Sequence, residues 1–319
     1  MLGILTILSG AFALTLHNVT VRVLFSEHLV LGLLVLGGYV QPTLQNSFLL
    51  MVMRMLFVVP LMAALSPKLY PNAFKELRQL LLPERRPVLR QALICGVLMF
   101  LNVAGLYIAI GSIPAGIAMT LFCTYPVFTA LLSWRLFGDR PTLFRWSVMG
   151  IILLGTALTI PQSSAAGEHY LIVIGTIASI GSGVIYAFYS VIAQKCFEQL
   201  HPVPFTWISF AITLFLSIMS VLLYPRSDFQ LEWTPLWIGG LFSGFISFVG
   251  HTLNNLGIRM IGATTASMVG SSGPALTALV AWATIRETLD TVQILGILIV
   301  TLGIALLSSE RMWMKRSQI

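Results

Sequence analysis

The sequence has very few charged residues for its length. Only 9% of its 319 residues are Asp, Glu, Lys or Arg, whereas 57% are hydrophobic, and the mean hydropathy is +0.92. A soluble domain carries about 25% charged residues, so a soluble fold of this length could not cover its surface with so few. The composition excludes a soluble domain and predicts a polytopic membrane protein.

Acidic residues are missing from the apolar segments, since all eleven lie in loops or at predicted helix ends. Transporters that are driven by protons or sodium often use a carboxylate inside the membrane. The pattern disfavours such a mechanism. Facilitated diffusion, or coupling through His17 or His251, remains open.

Cysteine patterns and catalytic motifs are also lacking. Cys95, Cys123 and Cys196 lie in separate apolar segments with no metal-ligand spacing, and there is no H-E-x-x-H or P-loop. The stretch Gly270–Gly273 resembles the G-x-S-G of intramembrane serine proteases, but all five histidines precede it and that family needs one after the serine. We predict no metal, no cofactor and no enzymatic activity.

The net charge of +7 does not indicate a nucleic-acid partner, because most cations lie in short loops between apolar runs. The expected partners are a lipid bilayer and a small-molecule substrate, and a homodimer is left open. No Lys or Arg precedes the first apolar run and no cleavage signal follows it. We therefore interpret that run as a retained helix and not as a signal peptide.

Ten apolar stretches are long enough to cross a membrane. They are residues 3–25, 47–66, 90–110, 113–136, 143–161, 170–194, 203–224, 234–257, 261–284 and 290–309. The run Leu29–Val40 is too short, which favours an interfacial or re-entrant segment. With the N-terminus in the cytoplasm, fourteen of the eighteen cations lie on that side, against Arg22, Arg226 and Arg286 outside and Arg54 within a helix. This asymmetry predicts a multi-pass protein of the cell (inner) membrane with both termini cytoplasmic.

One ten-residue segment occurs twice in similar form. "YPVFTALLSW" (Tyr125–Trp134) matches "GPALTALVAW" (Gly273–Trp282), and residues 96–134 align with 244–282 without a gap, with 11 of 39 pairs identical. The match divides the ten predicted helices into two units of five. Because five is an odd number, the second unit enters the membrane from the opposite side to the first, which makes the two units an inverted repeat. The predicted fold class is an all-α polytopic membrane protein with ten transmembrane helices as two inverted five-helix repeats. The alternative is convergence of two Leu/Ala-rich helices.

The domain organisation follows from the repeat. Residues 1–161 form the first unit, with 27–46 inserted, residues 169–310 form the second, and 311–319 form a basic cytoplasmic tail. Pro126 and Pro274 fall near mid-helix in their units and free the carbonyls of Phe122 and Gly270, which predicts mirrored kinks at a central site. The alternative is that each proline only curves its helix.

These pieces carry a family resemblance. The stretches "TLFCTYPVFTALLSWRLFGDR" and "VGSSGPALTALVAWATIRE" resemble the EamA type of the bacterial drug/metabolite transporter (DMT) superfamily. The resemblance implies ten helices, cytoplasmic termini, a cavity between the halves and alternating access. Two departures stand out: the segment 27–46 is longer than the usual first loop, and Gly138-Asp139-Arg140 replaces the family's Gly-Glu-Arg.

Polar and aromatic residues inside the apolar segments are the candidate substrate ligands, because buried polar groups in lipid are costly and usually face the bundle interior. The candidates are His17, Asn18, Arg54, Asn102, Tyr107, Phe122, Tyr125, Tyr186, Tyr189, His251 and Asn254, with Pro126, Gly270, Gly273 and Pro274 shaping the site. Arg54 is expected either to capture a carboxylate or phosphate or to extend toward the headgroups. The histidines, asparagines and tyrosines are also explained by interhelical hydrogen bonds or plain packing.

The leading hypothesis is a secondary transporter that moves a small organic metabolite by alternating access. An exporter of amino-acid-like, amphipathic or drug-like compounds fits the aromatic residues best. The alternative is a structural or interaction subunit of a membrane complex that transports nothing itself.

Overall fold

A computed structural model describes residues 1–138, 140–161, 166–223, 231–270 and 272–316. The chain is about 83% helical and has almost no sheet, which confirms the all-α class. Asp139, Arg226 and Ser271, discussed above, lie outside the described residues, as do residues 317–319 of the tail.

The described residues form thirteen α-helices. They are α1 (Leu2–Phe25), α2 (Leu44–Leu69), α3 (Ala73–Gln79), α4 (Arg86–Ser112), α5 (Ala115–Phe122), α6 (Tyr125–Phe137), α7 (Leu143–Leu158), α8 (Ala166–Cys196), α9 (Pro202–Leu223), α10 (Trp233–Ile261), α11 (Ala263–Gly270), α12 (Gly273–Ile285) and α13 (Thr291–Arg316). Within the described residues, seven segments are long and apolar enough to cross a membrane: α1, α2, α4, α8, α9, α10 and the α5–α6 pair. Helices α7 and α12 and the apolar part of α13 are shorter.

The helices are apolar on nearly every face, as expected where the outer faces meet lipid instead of water. Phe12, Ile94 and Leu154 are examples of large apolar side chains that remain exposed on the outer surface. The interior contains Met51 and Phe205, both fully buried. Several polar side chains inside these helices, including His17, Arg54 and Asn102, are buried between helices.

The main contacts join the first part of the chain (residues 1–161) to the second part (166–316). Helix α1 packs on α10 while α4 packs on α8, and α5 packs on α12 while α6 packs on α11. Helix α2 packs on α9, and α7 packs on α13. Each contact pairs one helix from each part, so the interface between them runs through the middle of the molecule.

Two helices that the sequence predicted as continuous but kinked are broken in two. Residues 113–136 form α5 and α6, and residues 261–284 form α11 and α12. Pro126 and Pro274 each occupy one of the first two positions of the second half-helix. Proline is tolerated there because the amide it lacks would have no helical partner. The prolines thus start new helices and do not bend existing ones.

The segment 27–46 contains a small hairpin. Strand β1 (His28–Val30) pairs antiparallel with β2 (Leu34–Leu36), and Leu29 lies opposite Val35. The turn at Leu31 and Gly32 has positive φ at both residues, and the Leu31 amide donates to the Thr284 carbonyl at 2.7 Å. The hairpin is thereby tied to the end of α12, and each of its strands has only three residues.

The charged connection over residues 67–90 is more structured than the sequence indicated. It contains α3 and a short 3-10 turn at Pro83–Arg85 before α4 begins. The Tyr70 hydroxyl donates to Glu76 at 2.7 Å, and Glu76 also accepts from the His201 amide at 3.0 Å. These bonds tie α3 to the start of α9.

Candidate functional site

A cavity of about 70 Å³ lies at the centre of the helix bundle. Its lining comes from both parts of the chain and from both broken helices. The lining residues are Ala11, Leu14, Thr15, His17, Asn18, Arg54, Asn102, Val103, Leu106, Tyr107, Met119, Phe122, Cys123, Tyr125, Tyr186, His251, Asn254, Gly270 and Gly273. None of these is acidic.

The structure brings nearly all of the sequence-predicted candidates together around this cavity. Tyr189 is the exception, since it lies behind Tyr186 with ring centroids 5.8 Å apart and donates to Asn255 at 2.9 Å. Pro126 and Pro274 do not line the cavity but each follows a lining residue, Tyr125 or Gly273. The site is therefore assembled from residues that are far apart in sequence.

Arg54 points inward and not toward the lipid headgroups. Its side chain is fully buried, so the alternative that it extends out of the bundle is wrong. Its Nη1 lies 3.0 Å from Nε2 of His17, and its guanidinium lies 5.3 Å from the ring centroid of Tyr107. Glycine at position 244 makes room for it, because a β-carbon there would lie 3.2 Å from Cγ of Arg54.

An aromatic cluster forms another wall of the cavity. Phe122, Tyr125 and Tyr186 pack together with ring centroids 4.9–5.4 Å apart. The Tyr186 hydroxyl accepts from Asn254 at 2.8 Å, which fixes the ring. Aromatic faces of this kind contact apolar or cationic groups of a ligand.

The two broken helices meet at the cavity, but their side chains differ. The Tyr125 hydroxyl donates to the Ser267 carbonyl of α11 at 2.9 Å, and a β-carbon on Gly270 would lie only 3.1 Å from that hydroxyl. A β-carbon on Gly273 would meet no neighbouring atom within 4 Å. One broken helix supplies an aromatic side chain, and its counterpart leaves the space open.

One contact between the two parts of the chain was not predicted from the sequence. Arg22 of α1 forms an ion pair with Glu287, which follows α12, at 3.0 Å. Arg22 also donates to the Ile110 carbonyl at 2.8 Å, and Glu287 accepts from the Ala115 amide at 2.9 Å. Burial raises the pKa of the Glu287 carboxyl above its ordinary value, while Arg22 and the Ala115 amide act in the opposite direction.

Several lining residues were missed because their types are ordinary in apolar helices. Thr15, Met119 and Cys123 are examples. Thr15 lies two residues before His17, and its hydroxyl bonds Thr277 of α12 at 3.2 Å. Cys123 follows directly on α5, at the break in the helix. Across the described parts of the chain, no three His, Cys, Asp or Glu side chains group as a metal site.

The fold and the cavity define a multi-pass helical membrane protein with a central cavity whose largely apolar wall carries a few polar side chains. The model of the EamA-like transporter family matches residues 1–160 and 173–309. The chain belongs to this family, and it is a membrane transporter.

Similar proteins agree with this assignment. An uncharacterized transporter of Synechocystis sp. is 50% identical over 98% of this chain and 94% of its own length. The threonine/homoserine exporter RhtA of Salmonella typhimurium is 26% identical over 67% of this chain and 68% of its own length. A solved crystal structure of a protein shares the fold with a TM-score of 0.63 and 17% identity, over 96% of this chain and 95% of that one.

Proposed function

We propose that this protein is a secondary transporter that exports a small amino-acid-like or amphipathic metabolite by alternating access. The central cavity is its substrate site. The observation that carries the proposal is the position of the cavity, which is lined by residues from both parts of the chain and by both broken helices. Substrate and coupling sites of many transporters lie at such repeat interfaces, next to discontinuous helices.

The proposed architecture is ten membrane crossings in two inverted units. Eight crossings are α1, α2, α4, α7, α8, α9, α10 and α13, and the pairs α5–α6 and α11–α12 supply one each. In the proposed units, α8 corresponds to α1 and α10 corresponds to α4. The first helix of each unit packs on the third helix of the other, since α1 contacts α10 and α8 contacts α4. This reciprocal contact supports two units related by a twofold axis, as inverted repeats are. The cation distribution favours the inner membrane with both termini cytoplasmic.

The relatives support an amino-acid-like substrate. RhtA is named as an exporter of threonine and homoserine, and it matches about two thirds of this chain. The polar and aromatic lining suits a compact polar solute, because a few convergent polar groups fix the orientation of a ligand against an apolar wall. The alternative, a subunit that transports nothing, would need no space between the two parts of the chain.

A counterflow experiment tests the proposal. The purified protein is placed in proteoliposomes loaded with a high concentration of one unlabelled solute, and uptake of the same labelled solute is followed. Threonine, homoserine, a neutral sugar and a lipophilic cation form the panel. We expect uptake of the amino acids above that of empty liposomes. Uptake of none of the panel at any pH or ion gradient would contradict a transport function of this kind.

A further inference from the structure

Among the described residues, no acidic side chain lines the cavity with Arg54 or forms an ion pair with it. His17 Nδ1 lies 3.2 Å from the Ser243 carbonyl, which can only accept, so Nδ1 carries the imidazole hydrogen. Nε2 is then the acceptor for the Arg54 Nη1 donor at 3.0 Å, and His17 is neutral. The Tyr107 hydroxyl, 3.4 Å from the same Nε2, is also neutral. Arg54 is therefore held in place by groups that do not neutralise it.

Two of the three guanidinium nitrogens also lack hydrogen-bond partners. Arg54 Nε and Nη2 are buried, and the described part of the chain supplies no acceptor for either. No acidic residue lines the cavity, and the ion pair between Arg22 and Glu287 involves neither nitrogen. An unpaired buried charge is costly, and adjacent guanidinium nitrogens match the two oxygens of a carboxylate.

A second unpaired group of opposite character lies in the same cavity. Asn102 Oδ1 is buried and finds no donor within the described residues. Asn102 belongs to α4, the helix that also carries Tyr107 beneath the guanidinium. The cavity thus offers free donors at Arg54 and a free acceptor at Asn102, and a ligand that satisfies both must carry an anionic acceptor and a separate donor.

We propose that the cavity binds a small carboxylic acid that also carries a hydroxyl or amino group. Arg54 Nε and Nη2 receive the carboxylate, Asn102 Oδ1 accepts from the second group, and the remaining apolar part packs on Phe122 and Tyr186. The inference rests on the proposed function, because it names the substrate class of the same site. A cavity of about 70 Å³ has room for about five waters, which restricts the ligand to compact acids.

The test compares acids with the amides in which an uncharged carboxamide replaces the carboxylate, because the two differ in the group that Arg54 would bind. Ligand-induced stabilisation of the purified protein in detergent is titrated with lactate, lactamide, L-threonine and L-threoninamide. We expect each acid to bind at least about tenfold more tightly than its amide, as a charge-assisted pair is stronger than a neutral one. Arg54→Gln should remove this preference. Arg54→Lys should retain part of it, since lysine keeps the positive charge but cannot bind a carboxylate through two parallel N–H donors.

The ratio of acid to amide affinity separates a binding role from a structural one. A variant that only loosens the fold weakens both ligands alike and leaves the ratio unchanged. Equal binding of acid and amide to the wild type, or an acid preference that survives in Arg54→Gln, would overturn the inference. If Arg54→Gln does not fold, Asn102→Ala provides the second test. We expect the wild type to prefer lactate over propionate, because only lactate has a hydroxyl that can donate to Asn102 Oδ1. Asn102→Ala should remove this preference, and a preference that survives would overturn the inference.

Failure of this inference and failure of the proposed function give different results. Acid binding that depends on Arg54, without counterflow of any solute, would support the site and contradict transport. Counterflow of sugars, amides or cations, with no binding of the acids, would support transport and overturn the acid-binding site.

Discussion

At Tyr125 and Gly273 the two matching segments differ most in side-chain volume, although the ten-residue stretches around them share five identities. The identical residues include the prolines that begin α6 and α12. Tyr125 reaches across to α11, and Gly273 leaves its share of the cavity empty. The two aligned positions therefore differ where they face the cavity, which is where a ligand would contact them.

Replacing Tyr125 by phenylalanine tests the bond across the cavity. The change removes the donor to the Ser267 carbonyl and keeps the ring, so we expect a loss of about 1 kcal/mol in the free energy of unfolding. Thermal unfolding in detergent measures it. Tyr170→Phe is the matched control, because Tyr170 is 65% exposed. Equal stability of the two variants would mean that the bond contributes nothing.

Much of the residue-level site could be predicted from the sequence. Polar residues are rare in apolar helices, so His17, Arg54 and Asn254 stood out without any structure, and all three line the cavity. Thr15 and Cys123 did not stand out, because their types are common in membrane helices. Tyr189 was expected at the cavity but satisfies its hydroxyl on Asn255, a contact that sequence spacing does not reveal.

Among the helices, the broken pair α5–α6 packs closely on α8 at Gly183. The carbonyl of Phe122, freed by Pro126, faces Gly183, where a β-carbon would lie 2.5 Å from the oxygen. Proline at position 126 was sufficient to predict a disturbed helix, since its missing amide and its ring are local properties. The complete break at Cys123 and Thr124 was not predictable, because neither residue disfavours a helix strongly.

Substitution of Gly183 by alanine should disturb the packing of α8 against the Phe122 carbonyl. The added methyl group overlaps the Phe122 carbonyl and approaches Thr124 Oγ1 to 3.2 Å, so we expect a loss of about 1–3 kcal/mol in stability. Gly181→Ala on the same helix meets no atom within 4 Å and should be neutral or stabilising. Unfolding of the two variants by denaturant in detergent compares them. A stable Gly183→Ala protein would show that the helices can separate without cost.

The ion pair between Arg22 and Glu287 joins α1 to the end of α12, across 265 residues of sequence. No local pattern could predict the pairing, because it depends on how the two parts of the chain pack. Arg22 also donates to the α4 carbonyls, and Glu287 accepts from the first amide of α5. Four elements are therefore fixed to one another at this end of the bundle.

The two partners of this pair should not be equivalent on mutation. Arg22→Gln leaves a buried carboxylate without its counter-charge, whereas Glu287→Gln keeps an oxygen for the Ala115 amide, so we expect Arg22→Gln to be less stable at pH 7. Burial raises the pKa of Glu287 in the folded state, so protonation favours folding. The penalty of Arg22→Gln should shrink as the pH falls through that pKa, because a protonated carboxyl needs no counter-charge.

Melting temperatures of both variants between pH 4 and pH 8 measure this difference, with the wild type as reference. A penalty for Arg22→Gln that stays constant with pH would contradict the assignment of Glu287 as its partner.

At the scale of the whole molecule, transport requires the cavity to open to each side of the membrane in turn. Cys123 lines the cavity, so its thiol reports on that opening. In a protein with Cys95 and Cys196 replaced by alanine, we expect a membrane-impermeant thiol reagent to reach Cys123 from either face of oriented vesicles. A bound solute should slow both reactions. Labelling from one face alone, whatever solute is present, would contradict alternating access.

The all-α membrane fold was predictable because composition and run length are decided by the bilayer. The hairpin formed by β1 and β2 was not, because Leu31 adopts a positive φ that its residue type disfavours. The contact of the Leu31 amide with Thr284 of α12 compensates for that conformation. Contacts between residues that are far apart in sequence cannot be predicted from local sequence patterns.

If solute passes through the cavity beside Gly273, a side chain that fills this space should stop the flux. Gly273→Leu places a side chain in the open space, whereas Gly150→Leu adds the same side chain at an exposed position of α7 that also meets nothing within 4 Å. Counterflow in proteoliposomes compares them at equal protein content. We predict loss of uptake in Gly273→Leu and wild-type uptake in Gly150→Leu. Equal uptake by both variants would show that solute does not pass beside Gly273.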